Sequence, residues 1–193
     1  IWLLRWREGA VWVNDSFAVK RSTPLLDAVG DVTVVSSAQS VSEGVTVVTL
    51  TRAVSTGDVN DLPFNVSGPT PVVAAWQPSG NGDFKYHTAT NRTVGVVDFF
   101  DRTPPPAAAP APPPALLAPA PANWSSTSLG PFVTLQWLPA PVTAANVTLR
   151  FVFASLEGWW GFGLRANASA GMVLSDIWLL RWREGAVWVN DSF

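Results

Sequence analysis

An all-β chain folded as an antiparallel two-sheet sandwich is predicted by three observations. Short runs rich in β-branched and aromatic residues recur along the chain, apolar residues alternate within them, and no stretch of twelve residues carries a helical period. With 193 residues, 48% of them hydrophobic, there is enough apolar side chain to fill one core.

The first run, IWLLRWREGAVWVNDSF at 1–17, reads as a hairpin. IWLLRW and AVWVND are joined at Arg-Glu-Gly, where Gly9 can take the positive φ such a turn needs. Strands are predicted at DVTVVSS (31–37), GVTVVTLTRAV (44–54), TPVVAAW (70–76) and TVGVVDFF (93–100). Residues 103–122, TPPPAAAPAPPPALLAPAPA, break the pattern. Proline at this density joins neither a sheet nor a helix interior and favours polyproline II, which would span on the order of 55–60 Å here. A semi-rigid spacer, open to O-glycosylation, fits this tract better than an SH3-type ligand. Beyond it come FVTLQWL (132–138), VTLRFVF (147–153), with Val147, Leu149, Phe151 and Phe153 on one face, and GWWGFGL (158–164). Nine or ten strands suit a sandwich.

Residues 177–193 repeat 1–17 without a mismatch, Gly185 standing for Gly9. The simplest reading is a longer polypeptide repeating with this offset, of which the chain holds one period plus an overlap. On that reading the unit is circularly shifted. Residues 1–102 are the C-terminal portion of one sandwich, 103–122 the spacer and 123–193 the N-terminal portion of the next, and either copy of the hairpin is expected to occupy the same place in the fold. Ile1 starts inside a strand, so the natural N-terminus is expected upstream.

A net charge of −2 with 13% charged residues leaves no electrostatic footprint for nucleic acid or an anionic membrane. No apolar run is long enough to span a bilayer. With no cysteine, disulfides, thiolate zinc sites, iron–sulfur clusters and covalently attached haem are excluded. Asn-X-Ser/Thr occurs at Asn14, Asn65, Asn91, Asn123, Asn146 and Asn167, and again at Asn190 in the second copy. This density points to a secreted or cell-surface protein carrying N-linked glycans. No Ser-His-Asp set, carboxylate pair or phosphate loop argues for an enzyme. Arg52 with Asp58 and Asp61 reads as a buried arginine holding a turn rather than a ligand site. The eleven tryptophans read as sheet packing rather than a sugar-stacking platform.

Taken from Ala122 to Phe193 and then on from Ala18, the chain carries three further signatures in one order. They are Gly158-Trp159-Trp160-Gly161-Phe162-Gly163, Gly171-Met172-Val173-Leu174-Ser175-Asp176, and Thr51-Arg52-Ala53-Val54-Ser55-Thr56-Gly57-Asp58. In that order the sequence resembles the DOMON family over nearly all of the chain outside the spacer. The resemblance implies an immunoglobulin-like sandwich. It also implies, as in the haem b-binding members, an iron held between Met172 and His87, the sole methionine and sole histidine of the chain. Apart from the resemblance, a lone histidine reads as a polar loop residue and a lone methionine as core filler. The chain departs from those members where Arg92 is followed by Thr93 rather than glycine, with a sequon on Asn91.

The function expected is an extracellular tandem-repeat glycoprotein, a filament or surface stalk, whose domains hold haem b for electron transfer without substrate turnover. Its expected partners are neighbouring copies of the same repeat, by filament contact or strand complementation, and an unidentified redox protein. The alternative is a haem-free structural or carbohydrate-binding adhesive protein.

Overall fold

The computed structural model describes residues 3–7, 10–14, 16–17, 25–26, 29–77, 90–101, 122–156, 158–167 and 175–182. Among them every regular element is a strand: β1 (Leu3–Arg7), β2 (Ala10–Asn14), β3 (Ser16–Phe17), β4 (Leu25–Leu26), β5 (Val32–Ser40), β6 (Val45–Ala53), β7 (Thr70–Gln77), β8 (Arg92–Val97), β9 (Ser125–Ser128), β10 (Val133–Trp137), β11 (Asn146–Phe153), β12 (Gly158–Arg165) and β13 (Ser175–Trp182). One sheet runs β2-β1-β13-β12-β7-β8, with the two-residue β3 and β4 beside β13; the other runs β5-β6-β11-β10-β9. All pairings are antiparallel except β1 with β13. The fold is an all-β arrangement of two facing sheets.

Alternation places the core between them. Val147, Leu149, Phe151 and Phe153 of β11 are at most 1% exposed, as the period-two pattern predicts. Opposite lie Trp160, Phe162 and Leu164 of β12 and Val72, Ala74 and Trp76 of β7. Trp76 and Trp160, paired across β7 and β12, stack at 5.1 Å. Phe162 meets Phe151 edge-on at 5.2 Å and Phe153 meets Trp160 at 5.9 Å, tying one sheet to the other. Gly130, with φ of 141°, abuts this stack: a Cβ there would come within 2.7 Å of the Trp76 ring. The sandwich therefore admits only glycine where the 129–132 turn crosses Trp76.

Both sheets draw strands from both sides of the proline-rich tract. Strands β5 to β8 precede it and β9 to β13 follow it, yet β6 pairs with β11 and β7 with β12. The tract itself lies outside the described residues.

Within one chain the two copies of the repeat occupy neighbouring places in the same sheet. They lie side by side, Leu4 opposite Leu180 and Arg5 opposite Arg181. A strand has two edges, and β13 uses one for β12, leaving the other for β1. Copy one forms the expected hairpin, Leu3 opposite Asn14 through Arg7 opposite Ala10.

Candidate functional site

Strand β12 presents unlike faces. Trp160, Phe162 and Leu164 point inward, so Gly161, Gly163 and Arg165 point outward. Their cross-strand partners on β7 follow suit: Ala75 stands opposite Gly161 and Val73 opposite Gly163. The result is an outward strip of Val73, Ala75, Gly161 and Gly163, almost devoid of side-chain bulk at its centre. Val73 and Ala75 are only 4% and 3% exposed, and both glycines are buried, so other atoms of the chain cover this face. Ile177 and Leu179 of β13 occupy the register positions beside Gly163 and Gly161. On the other flank, Val94 and Val96 of the edge strand β8 are exposed.

Arg165 closes one end of the strip. It is 6% exposed, and burial pushes its guanidinium pKa down. A buried cation here favours an anionic neighbour.

Met172 and His87 both lie outside the described residues, but the strands that carry them fix where their connections begin. Met172 belongs to the link from Arg165 to Ser175, which are paired residues of β12 and β13. His87 belongs to the link from Gln77 to Arg92, at the opposite end of β7. Ser175 and Arg92 are separated by about 13 Å along the strands and about 14 Å across three strand spacings, about 19 Å in all. Met172 is three positions from Ser175 and His87 five from Arg92, and eight extended residues reach at most about 27 Å. The strand register does not bring the starts of the two links together.

A second polar cluster sits inside the sandwich. Arg52 of β6 is 2% exposed and directs Nη2 to Asp61 Oδ2 at 2.9 Å, while Nη1 donates to the Leu62 carbonyl at 2.9 Å. Its guanidinium also lies 5.6 Å from the centre of the Phe64 ring. Asp58 instead shapes the connection locally. Its Oδ1 accepts the Asn60 amide at 2.7 Å, and its own amide donates to Thr56 Oγ1 at 3.1 Å. The arginine thus braces the 54–64 connection with one of the two aspartates predicted for it. Sequence reasoning missed Asp31, whose carboxyl lies close enough to Asp61 for burial and that neighbour together to raise its pKa. Pairing of Val32 with Arg52 is what delivers it there. Among the described residues no group of histidine, aspartate or glutamate side chains is arranged to hold a metal ion.

Of the sequon asparagines, Asn65, Asn123, Asn146 and Asn167 are exposed and Asn91 is half-buried. Asn14 ends β2, and Asn190 lies outside the described residues. Asn146 pairs with Ala53, and Asn123 and Asn167 flank β9 and β12 at the same end of the sandwich. Asn91, whose carbonyl accepts the Trp76 amide at 3.0 Å, is at the other end. No helix among the described residues is long and apolar enough to cross a membrane.

No family model matches the chain, and neither a curated protein nor a solved structure is significantly similar to it.

Proposed function

We propose that this chain is a unit of an extracellular, N-glycosylated tandem-repeat protein, a filament or stalk, whose DOMON-like sandwich holds haem b for electron transfer. One observation supports the haem reading: a strip of small residues on β7 and β12 lies between the strand ends from which the links bearing the only methionine and the only histidine depart. Small side chains there would leave room for a bulky group beside the sheet, because each added Cβ would hold it away. Met172 and His87 would hold the iron, and Gly161, Gly163 and Ala75 would leave room beside it.

Haem b would supply a one-electron couple, and Met172 and His87 would hold its iron through a thioether sulfur and an imidazole nitrogen, a pair suited to electron transfer. The chain's own contribution is to exclude water from the strip and to keep the thioether and imidazole on short tethers to β13 and β8. That arrangement suits electron transfer rather than turnover of a substrate.

The absorption spectrum of the native glycoprotein tests this reading. A Soret band that is lost or shifted in Met172→Ala and in His87→Ala is expected; a native protein without one overturns the haem reading. A haem-free structural or carbohydrate-binding role is the second reading, favoured by the register that starts the two links at opposite ends of β7 and β12. Glycan binding by haem-free protein would support it.

A further inference from the structure

Strand β8 ends its sheet: it pairs with β7 along one edge, and among the described residues no strand pairs with the other. An unpaired edge is a template for a further strand, and folded chains guard it with a central charge, a proline or a bulge. β8 carries none of these at its centre. It reads Arg92-Thr93-Val94-Gly95-Val96-Val97 and is followed by Asp98. Arg92, Val94, Val96 and Asp98 are exposed, the two valines at 60% and 59%, while Val97 and Phe99 are buried. The outward face of the edge is therefore two valines with opposite charges at their two ends.

Backbone groups follow the same alternation. The Trp76 amide donates to the Asn91 carbonyl at 3.0 Å, and from there the register turns Thr93, Gly95 and Val97 towards β7. Pro71, which has no N–H to donate, accordingly stands opposite Val96. The amides and carbonyls of Val94 and Val96 are left pointing at the unpaired edge.

This pattern is symmetric about Gly95. A second β8 laid antiparallel, glycine opposite glycine, sets each Val94 against a Val96 and each Arg92 against an Asp98. The valines then exchange amide and carbonyl across the joint, and the glycines fall in the narrow, non-hydrogen-bonded pair, with Cα atoms about 4.5 Å apart. A slip of two residues loses the charge pairs, and a slip of one turns the valines of the two strands to opposite faces. Packing among the described residues does not demand glycine at 95, since its φ is not positive and a Cβ would meet only Val72 Cγ2, at 3.9 Å. Close approach of another backbone does.

We propose that β8 is a dimer interface, two copies of this chain joining their sheets edge to edge about a two-fold axis at Gly95. The inference depends on neither haem nor the repeat. Such a contact is isologous and closes at two molecules, and its opposite charges make it weaker as salt rises. A glycan on Asn91 would stand beside the strand, so the joint belongs to chains in which that sequon is unoccupied.

The test uses chain produced without glycans. Arg92→Asp and Asp98→Arg each set like charges against one another twice, and each should weaken dimerisation in sedimentation roughly tenfold at low salt. Mixed in equal amounts, the two variants restore both opposite pairs, and association should return to within about twofold of the parent. The cysteine-free sequence adds a check of register. On mild oxidation Gly95→Cys should form a disulfide-linked dimer much faster than Val94→Cys, whose two copies lie offset by two residues, about 8–9 Å apart and beyond disulfide reach. Folding of each variant is checked by far-ultraviolet dichroism. A parent chain that is monomeric at about 1 mM would overturn the proposal. So would a mixture that associates no better than its components, or Val94→Cys cross-linking as fast as Gly95→Cys.

Discussion

The inward and outward faces of β7 and β12 are built from the same sixteen residues under opposite rules. Inward, bulk is maximal: Trp76 stacks on Trp160, and Phe162 is fully buried against Phe151. Outward, at the centre of the two strands, bulk is withdrawn to Gly161, Gly163, Ala75 and Val73, between the register pair Trp159 and Gln77 at one end and Arg165 at the other. A sheet face that is merely solvated carries polar side chains, and one that is merely core carries large apolar ones. The centre of the outward face does neither, and that is the feature on which the proposed haem reading rests. On the proposed function, stability and binding would be divided between alternate positions of one strand, so substitutions one residue apart should fail differently.

The largest effect is expected inside. Trp160→Ala removes a side chain that is 1% exposed and touches both Trp76 and Phe153, at a cost of about 3–5 kcal/mol. Urea denaturation should then show a chain largely unfolded or with a sharply lowered midpoint. Gly130→Ala tests the same face from the turn. Its new Cβ would lie 2.7 Å from a Trp76 ring atom, on a backbone with φ of 141°. Overpacking and backbone strain together should cost about 2–3 kcal/mol. An alanine variant as stable as the parent would mean that the Trp76–Trp160 stack yields easily, and the contrast between the faces would weaken.

Gly161→Val and Gly163→Val address the outward face. Each fills the strip, and each should cost only about 1–2 kcal/mol, less than the inward truncation, because overpacking is partly relieved by local shifts. Their distinguishing readout is spectroscopic. In haem-containing protein the Soret absorbance per chain should fall at least tenfold while the urea midpoint moves little. A loss of stability equal to that of Trp160→Ala, with no spectroscopic effect, would make the strip ordinary packing.

How far these features are legible in the sequence follows from the physics of strands. Alternation betrays β5, β6, β7, β8, β10, β11 and β12, because period-two burial leaves a direct imprint. It cannot betray β9: Ser125–Ser128 is wholly polar and is a strand only because β10 pairs with it. The repeat is visible as identity, but the neighbouring places of its copies are not, since a sequence does not say which edge of a strand is already taken. Gly161 and Gly163 are visible within a motif. Their enclosure is not, because a glycine in a strand signals close approach without naming what approaches. Asp31 is hidden for a different reason. Its partner is distant in sequence, and only the β5–β6 pairing brings it to Asp61.

Asp31 also gives the smallest effect and tests whether facing inward always means stabilising. The Arg52–Asp61 pair is a polar intrusion at one end of the core, and Asp31 adds a further carboxyl to it. Burial first, then the hydrogen bond and charge of Asp61, push the Asp31 carboxyl up from 3.8 to about 6, against the opposing pull of Arg52 and with a small push from Asp58. A folded-state value above the unfolded one means that the folded chain holds this proton more tightly. The associated stability is present in full below about pH 3.8 and is lost as pH rises through about 6. Above that, two carboxylates face one arginine. Asparagine at 31 keeps a donor for Asp61 and cannot ionise, so Asp31→Asn should match the parent near pH 4 and exceed it above pH 6.5. Asp31 is only half-buried, and after discounting for solvent screening the gain is about 1 kcal/mol. Chemical denaturation of both chains across this range checks it: the difference should open between pH 4 and 6.5 and then stay flat. A difference that is constant with pH would mean that Asp31 stays ionised throughout, leaving Arg52 to balance both carboxylates and removing the one inward-facing group that works against the fold at neutral pH.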